Sequence, residues 1–192
     1  MAAAFKTVIR VDPDRLDQAR AVDRLFQEAI APATVNFDFD NIRQAAASLP
    51  GSAIVKMVRG WGLQETAPVM VMVLSLKEAV RQALPATFAD ASCWDTVEQE
   101  LVRAFAGLGA QKGQPGLSFY EEGADRTRYY RDLFFALQDE ETGEHLYAIA
   151  MCIDVTVGLG RSEVDALEVS DVAPFAIRLD AVVVRQELGL AA

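Results

Sequence analysis

The sequence predicts a single α/β (α+β) domain, with helices first and a mostly antiparallel sheet in its C-terminal half. Three observations carry this. Apolar residues recur at helical spacing up to residue 108 and alternate after it. The alternating segments follow one another through short turns, which argues against a doubly wound βαβ sheet. The chain has 192 residues, 52% apolar and 24% charged, the balance of one globular domain with a sizeable core. No repeat, low-complexity tract or linker interrupts it, so residues 1–192 are expected to form one unit with a core from about 5 to 187.

Residues 5–11 alternate loosely and end at Asp12-Pro13, which predicts a short strand. Asp14 stands where a helix N-cap belongs. Val22, Leu25, Phe26, Ala29 and Ile30 then share one face of an amphipathic helix, ended by Pro32. A second, shorter helix is predicted over 39–49, stopped by Pro50-Gly51. Residues 54–58 predict a strand, followed by a turn at Gly60-Trp61-Gly62. Residues 69–73 would suit a strand, but Leu76, Ala79, Val80, Ala83 and Leu84 have helical spacing. Thr66 as cap and Pro68 in the first turn favour one helix over 68–84, apolar nearly all round at its start and so buried on most sides. The clearest helix spans 95–108. Asp95 and Glu98 suggest a capping box, and Val97, Leu101, Ala104, Phe105 and Leu108 make a buried stripe.

Residues 111–116 read as a Gly/Pro loop, and four or five strands follow up to Gln186. Leu133 to Leu137 are apolar on both faces, as in a central strand. Over 147–157 the large residues Tyr147, Ile149, Met151, Ile153, Val155 and Val157 occupy one face. Ala148, Ala150, Cys152, Asp154 and Thr156 occupy the other. Such a strand should be covered on both sides, with a helix approaching closely on the small side. Residues 138–144, with Gly143, suit a hairpin connection. Residues 164–169 and 177–184 are expected to close the sheet.

The formal net charge is −10 and the pI about 4.6. Nucleic acid is an unsuitable partner for such a chain, because phosphate binding needs clustered Lys and Arg. Anionic membranes would repel it; a zwitterionic surface would not. No stretch approaches the ~18 apolar residues of a spanning helix. The N-terminus lacks the pattern of a secretory signal peptide. Cys93 and Cys152 are expected to be buried free thiols rather than a disulfide framework. The single histidine, His145, reads as a surface residue, so no Ser-His-Asp or Cys-His set is expected elsewhere. Gly107, Gly109, Gly113 and Gly116 follow a helix and precede a strand, the reverse of a phosphate-binding loop. The carboxylates Asp38, Asp40, Glu121, Glu122, Asp139, Glu140 and Glu141 fall at turns and element ends, and a solvated acidic face is expected there. No catalytic residue, metal site or cofactor is expected. Arg126, Arg128 and Arg131, beside Tyr129 and Tyr130, make the one basic and aromatic cluster. It suits a lipid head-group or a local salt-bridge network.

Several blocks resemble the Cyt-type cytolytic δ-endotoxins of Bacillus. These are Leu25-Phe26-Gln27-Glu28-Ala29-Ile30-Ala31-Pro32 followed by Phe37-Asp38, and Val69-Met70-Val71-Met72-Val73 running into Lys77-Glu78-Ala79-Val80. Gln111-Lys112, Tyr130 to Gln138, Thr142-Gly143 and Tyr147 to Val157 continue the match. The resemblance runs from about Thr7 to Arg185. It implies a three-layer α-β-α sandwich, a central, mostly antiparallel sheet wrapped by two helical layers. It also implies a non-enzymatic, membrane-active toxin or virulence factor that binds zwitterionic phospholipid of a target cell, inserts C-terminal strands and forms a homo-oligomer there.

The strands expected to insert carry Tyr129, Tyr130, Leu133, Phe134, Phe135 and Leu137, then Tyr147, Ile149, Met151, Ile153, Val155 and Val157. Arg126, Arg128 and Arg131 are the candidate head-group contacts. Arg131, Asp132 and Asp154 would have to face a lumen or a partner on insertion. The chain is expected to be released from a bacterium without an evident signal peptide and to be soluble before meeting a membrane. It is also expected to lack the trimmed terminal extensions of insecticidal members. The family cysteine of the penultimate long strand aligns with Ala148. A non-lytic lipid-binding or host-interaction protein on the same scaffold is the alternative reading.

Overall fold

The computed structural model describes residues 5–29 and 37–189. The expected helix end at Ile30 and Pro32 lies outside the described residues. The elements are β1 (Lys6–Arg10), α1 (Leu16–Ala29), α2 (Phe39–Ala47), β2 (Ser52–Pro68), α3 (Val69–Ala83), α4 (Trp94–Arg103), β3 (Leu117–Glu122), β4 (Thr127–Gln138), β5 (His145–Val157), α5 (Arg161–Asp165) and β6 (Val172–Glu187). The strands form one sheet in the order β1-β4-β5-β6-β2, with β3 also paired to β4. Among the described strands, only β1 runs parallel to its neighbour; the remaining pairs are antiparallel.

One edge of β4 is shared. β1 pairs with residues 133–137 and β3 with residues 127–131. The two meet at Gly116, whose φ is 73°. A Cβ there would lie 2.3 Å from the Asp132 carbonyl oxygen and 2.7 Å from the Lys6 nitrogen. Only glycine fits that crossing.

Helices cover both faces of the sheet. Odd-numbered residues of β4, β5 and β6 pack against α3 and α4 in the larger of two buried clusters, with Phe88, Leu101 and Phe105 among the covering side chains. Even-numbered residues meet α1 and α2: Phe134, Ala136, Ala148, Ala150, Val182 and Val184 against Ala19, Val22, Phe26 and Ile42. The alanines let these helices approach closely, and Phe26 reaches Phe134 with ring centres 5.3 Å apart. The small-face expectation for residues 147–157 is met.

Several local expectations are corrected. Asp14 does not cap α1; Asp12 precedes a single 3-10 turn, Pro13–Arg15, and α1 starts at Leu16. Asp38 does cap α2, accepting the Asn41 N–H at 2.9 Å. Gly60-Trp61-Gly62 is not a turn. β2 runs on through it to Pro68, with a bulge between Val58 and Trp61. Gly60 has φ 64°, and its N–H donates to Asp180 Oδ1 at 2.7 Å.

Thr66 lies in β2 and does not cap α3. The first N–H groups of α3 go to the carbonyls of Asp171 and Val169, each at 3.0 Å. α3 buries Val69, Met72, Val73, Leu76 and Val80, but Leu74 is 49% exposed, so its early turns are covered on one broad side only. α4 has no capping box; Glu98 pairs across to Lys77 of α3 instead. Helix α4 ends at Arg103, yet the stripe from Val97 to Leu108 is buried as expected. Residues 164–169 are not a strand. Their start belongs to α5, where the Glu163 carboxylate accepts the Gly160 N–H at 3.1 Å.

Candidate functional site

The sheet and its α3/α4 cover form the candidate site. Tyr147, Ile149, Met151, Ile153, Val155 and Val157 are all buried on the covered face of β5. Tyr129, Leu133, Phe135 and Leu137 of β4 join them. Phe134 is on the opposite face, against α1, and the alternation of β4 puts Tyr130 there too. The cover is tied down by specific contacts. Tyr129 donates its hydroxyl to the Ala104 carbonyl at 2.8 Å, just past α4. Phe105 meets Phe175 of β6 edge-on at 5.9 Å, and Phe88 meets Tyr147 at 5.1 Å.

Arg131 interrupts this apolar face. It alternates with Tyr129 and Leu133, is fully buried, and none of its guanidinium nitrogens makes a hydrogen bond within the described residues. Burial pulls its pKa down, opposed mainly by the nearby Glu100 carboxylate. One Glu100 oxygen accepts from Arg103 at 2.7 Å; the other is buried without a partner. A buried charge without hydrogen bonds costs several kcal/mol, a penalty that the nearby Glu100 carboxylate offsets in part.

The three candidate arginines are not brought together. Arg126 and Arg128 both pair with Glu121, at 2.5 and 3.7 Å, and Arg128 also lies 4.9 Å over the Tyr120 ring. Arg131 lies in the core, away from them. Arg161, which sequence reasoning passed over, completes the surface network. It stacks 3.3 Å over Phe119 and pairs with Asp165 and Glu122. The i,i+4 spacing to Asp165 was the one signal in the sequence; Phe119 and Glu122 are distant in sequence and gave none.

The opposite face is polar where α1 and α2 stop. Asp132 lies opposite Cys152 and Cys152 opposite Asp180; Tyr130 lies opposite Asp154 and Asp154 opposite Arg178. Burial pushes Asp132 up to about 7, against the lowering pull of the Cys152 thiol and Arg131. Burial, then Asp132, pushes the Cys152 thiol well above its usual range, so it stays protonated and unreactive. Tyr120 donates to Asp154 at 2.5 Å, and burial followed by that carboxylate pushes its phenol up to about 12. Both cysteines are free and buried, as expected.

Among the carboxylates at turns, Asp40, Glu122, Glu140 and Glu141 are exposed as expected, and Asp139 is not. Asp139 is buried and holds the β4–β5 hairpin, accepting from the Glu141 N–H and the Thr142 hydroxyl. Glu140 accepts from Ser92. A polar cleft of about 450 Å³ opens beside them, lined by Arg10, Asp12, Ser92 and Gln138 among others; His145 is not among its walls. Among the described residues, no cluster of three or more His, Cys, Asp or Glu is placed to hold a metal. No described helix is long and apolar enough to cross a membrane.

Comparison with known proteins places this geometry in a wider set. A family model described as Bacillus thuringiensis toxin matches residues 1–191. The type-2Aa cytolytic δ-endotoxin of Bacillus thuringiensis subsp. kyushuensis is 30% identical over 184 residues, which are 96% of this chain and 71% of that protein. The type-2Bb toxin of subsp. jegathesan is 27% identical over 97% of this chain and 71% of its own length. The crystal structure of activated Cyt2Ba monomer from subsp. israelensis superposes with a TM-score of 0.89 at 25% identity, over 96% of this chain and 98% of that one. A second structure, described as a δ-endotoxin, gives 0.89 at 29% identity, over 98% and 84% of the two chains.

Proposed function

Because the chain belongs to the Bacillus thuringiensis toxin family, we propose that it is a membrane-active cytolysin whose sheet, once uncovered, works on the lipid bilayer. The observation that carries this reading is the covered face of β5, six large apolar residues in unbroken alternation. β4, β5 and β6 have 12, 13 and 16 residues, against the ~9–11 that a membrane strand needs. Departure of α3 and α4 would present the odd-numbered face to lipid. The even-numbered face, with Asp132, Asp154, Arg178 and Asp180, suits a water-filled interior. Arg131 and Arg185, which lies opposite Tyr147, are charges on the lipid-facing side, and they must reach an interface or a partner.

Inserted strands need neighbours on both edges, so the working form is a homo-oligomer on the membrane. The net charge of −10 favours zwitterionic over anionic lipid. Arg126 and Arg128 are exposed enough to exchange Glu121 for a phosphate group. Arg131 becomes available only after the cover leaves. The protein is proposed to act from the soluble state after release from its cell.

Dye release from phosphatidylcholine vesicles tests the lytic reading; release at micromolar protein is expected. No release between pH 5 and 8, with or without trypsin, overturns it. A fluorophore on Ile153→Cys should shift to the blue on vesicles, and one on Thr156→Cys, on the opposite face, should not. Equal shifts would overturn the assignment of faces.

A further inference from the structure

β2 is an edge of the sheet, and among the described residues nothing pairs with its outer side. It is 17 residues long, and Ile54, Val55 and Met57 are exposed on it. Natural sheets usually avoid such an edge, because its free N–H and C=O groups recruit other strands. Two irregularities bend it, between Ile54 and Lys56 and between Val58 and Trp61. The second is fixed by the positive φ of Gly60 and by the Asp180 carboxylate on its N–H. Such a bulge turns the edge away from an ordinary strand. A second copy carries the same bend at the same place and can follow it.

We propose that β2 is a homodimer interface, in which two copies pair antiparallel about a two-fold axis beside Gly60 and Trp61. The register follows from the faces. Val58, Trp61 and Leu63 pack toward the α3/α4 cluster. Lys56 and Glu65 share that face, because they lie opposite Val183 and Phe175 of the same cluster. The bulge therefore moves this face from even numbers before it to odd numbers after it. Residues opposite one another in an antiparallel ladder point to the same side. A two-fold pairing across the bulge must then match even with odd.

Among such registers, the one that sets Val58 against the partner's Leu63 also sets Lys56 against the partner's Glu65. The two-fold repeats both pairs, so two Lys–Glu and two Val–Leu contacts flank the axis. A slip of two residues sets Lys56 against the partner's Leu63 or the partner's Ala67, and both ion pairs are lost. This interface does not depend on membrane activity.

Sedimentation velocity of the full chain, from low micromolar to several hundred micromolar, should show a reversible dimer. Lys56→Glu and Glu65→Lys should each weaken it by about tenfold or more, since each replaces attraction with like-charge repulsion at two places. The double variant K56E/E65K should restore it. Both positions are exposed, so folding is unaffected. A chain carrying Val58→Cys with Leu63→Cys should form a disulfide-linked dimer on mild oxidation, and neither single variant should do so comparably; the native cysteines are buried. A monomer at every concentration overturns the proposal. A dimer indifferent to the charge reversals, or not rescued by the double swap, also overturns it.

Discussion

The two faces of the sheet are covered on different terms. On the α3/α4 side, large residues are buried along the whole of β5, from Tyr147 to Val157. On the α1/α2 side, small residues admit the helices closely, and the cover reaches only part of the strand; Asp154, Thr156, Arg178 and Asp180 keep contact with water. For the insertion proposed above, the difference selects the α3/α4 face: a bilayer would take the place of the helices over Ile, Met, Val and Tyr side chains, whereas on the other face Asp154 and Asp180 would lose their water.

This contrast can be tested, the largest effect first. Phe105→Ala removes a fully buried ring of the large-residue cover and should cost about 3–5 kcal/mol in urea unfolding. A loss under 1 kcal/mol would mean that the α4 cover is already loose. Arg131→Met should raise stability by about 1–4 kcal/mol, because it removes a buried charge while Glu100 keeps Arg103. The same variant should slow vesicle leakage, since the cover then holds better. A drop in stability would show instead that the guanidinium holds α4 down.

Ala148→Leu on the small face should cost about 1–3 kcal/mol through overpacking against α1 and α2. On the opposite face of the same strand, Ile149→Val should cost only about 0.5–1.5 kcal/mol. Equal or reversed costs would erase the distinction between a close cover and a roomy one.

The smallest effect belongs to Asp132. Its folded pKa of about 7 lies above the usual carboxylate value, so the folded state holds the extra proton. Its stabilisation is complete in acid and lost as pH rises through about 7. Stability should therefore gain about 1 kcal/mol from this group between pH 7 and pH 6. Asp132→Asn should flatten that interval, and melting curves of the two proteins at both pH values would show it. Parallel pH profiles would remove Asp132 from the account.

The parts of the fold that the sequence revealed are those governed by local period. The stripe of α4 and the two faces of β4 and β5 follow from alternation or helical spacing alone. The failures have long-range causes. Gly60-Trp61-Gly62 looks like a turn because Gly60 needs a positive φ, but a bulge needs that too. Only the 16-residue β6 alongside decides between them. Asp95 and Glu98 have capping-box spacing, but Lys77 on a neighbouring helix draws Glu98 away. Residues 164–169 alternate for part of a strand, yet Glu163 closes a helical turn on Gly160. Arg131 stood in a basic cluster by sequence; the alternation of β4 put Arg128 at the surface and Arg131 in the core.

The shared edge of β4 has a consequence for how the chain is made. β1 leaves the ribosome well over a hundred residues before its partner, residues 133–137. At roughly 5–20 residues per second, that strand waits several seconds or longer with no ladder to join. The helix behind it waits too, because α1 packs on Phe134 and Ala148, which do not yet exist. β1 and α1 can take their places on the sheet only once β4 and β5 have been made. A nascent chain stalled before residue 133 should expose β1 and α1 to chaperones and proteases, and one released after residue 187 should not.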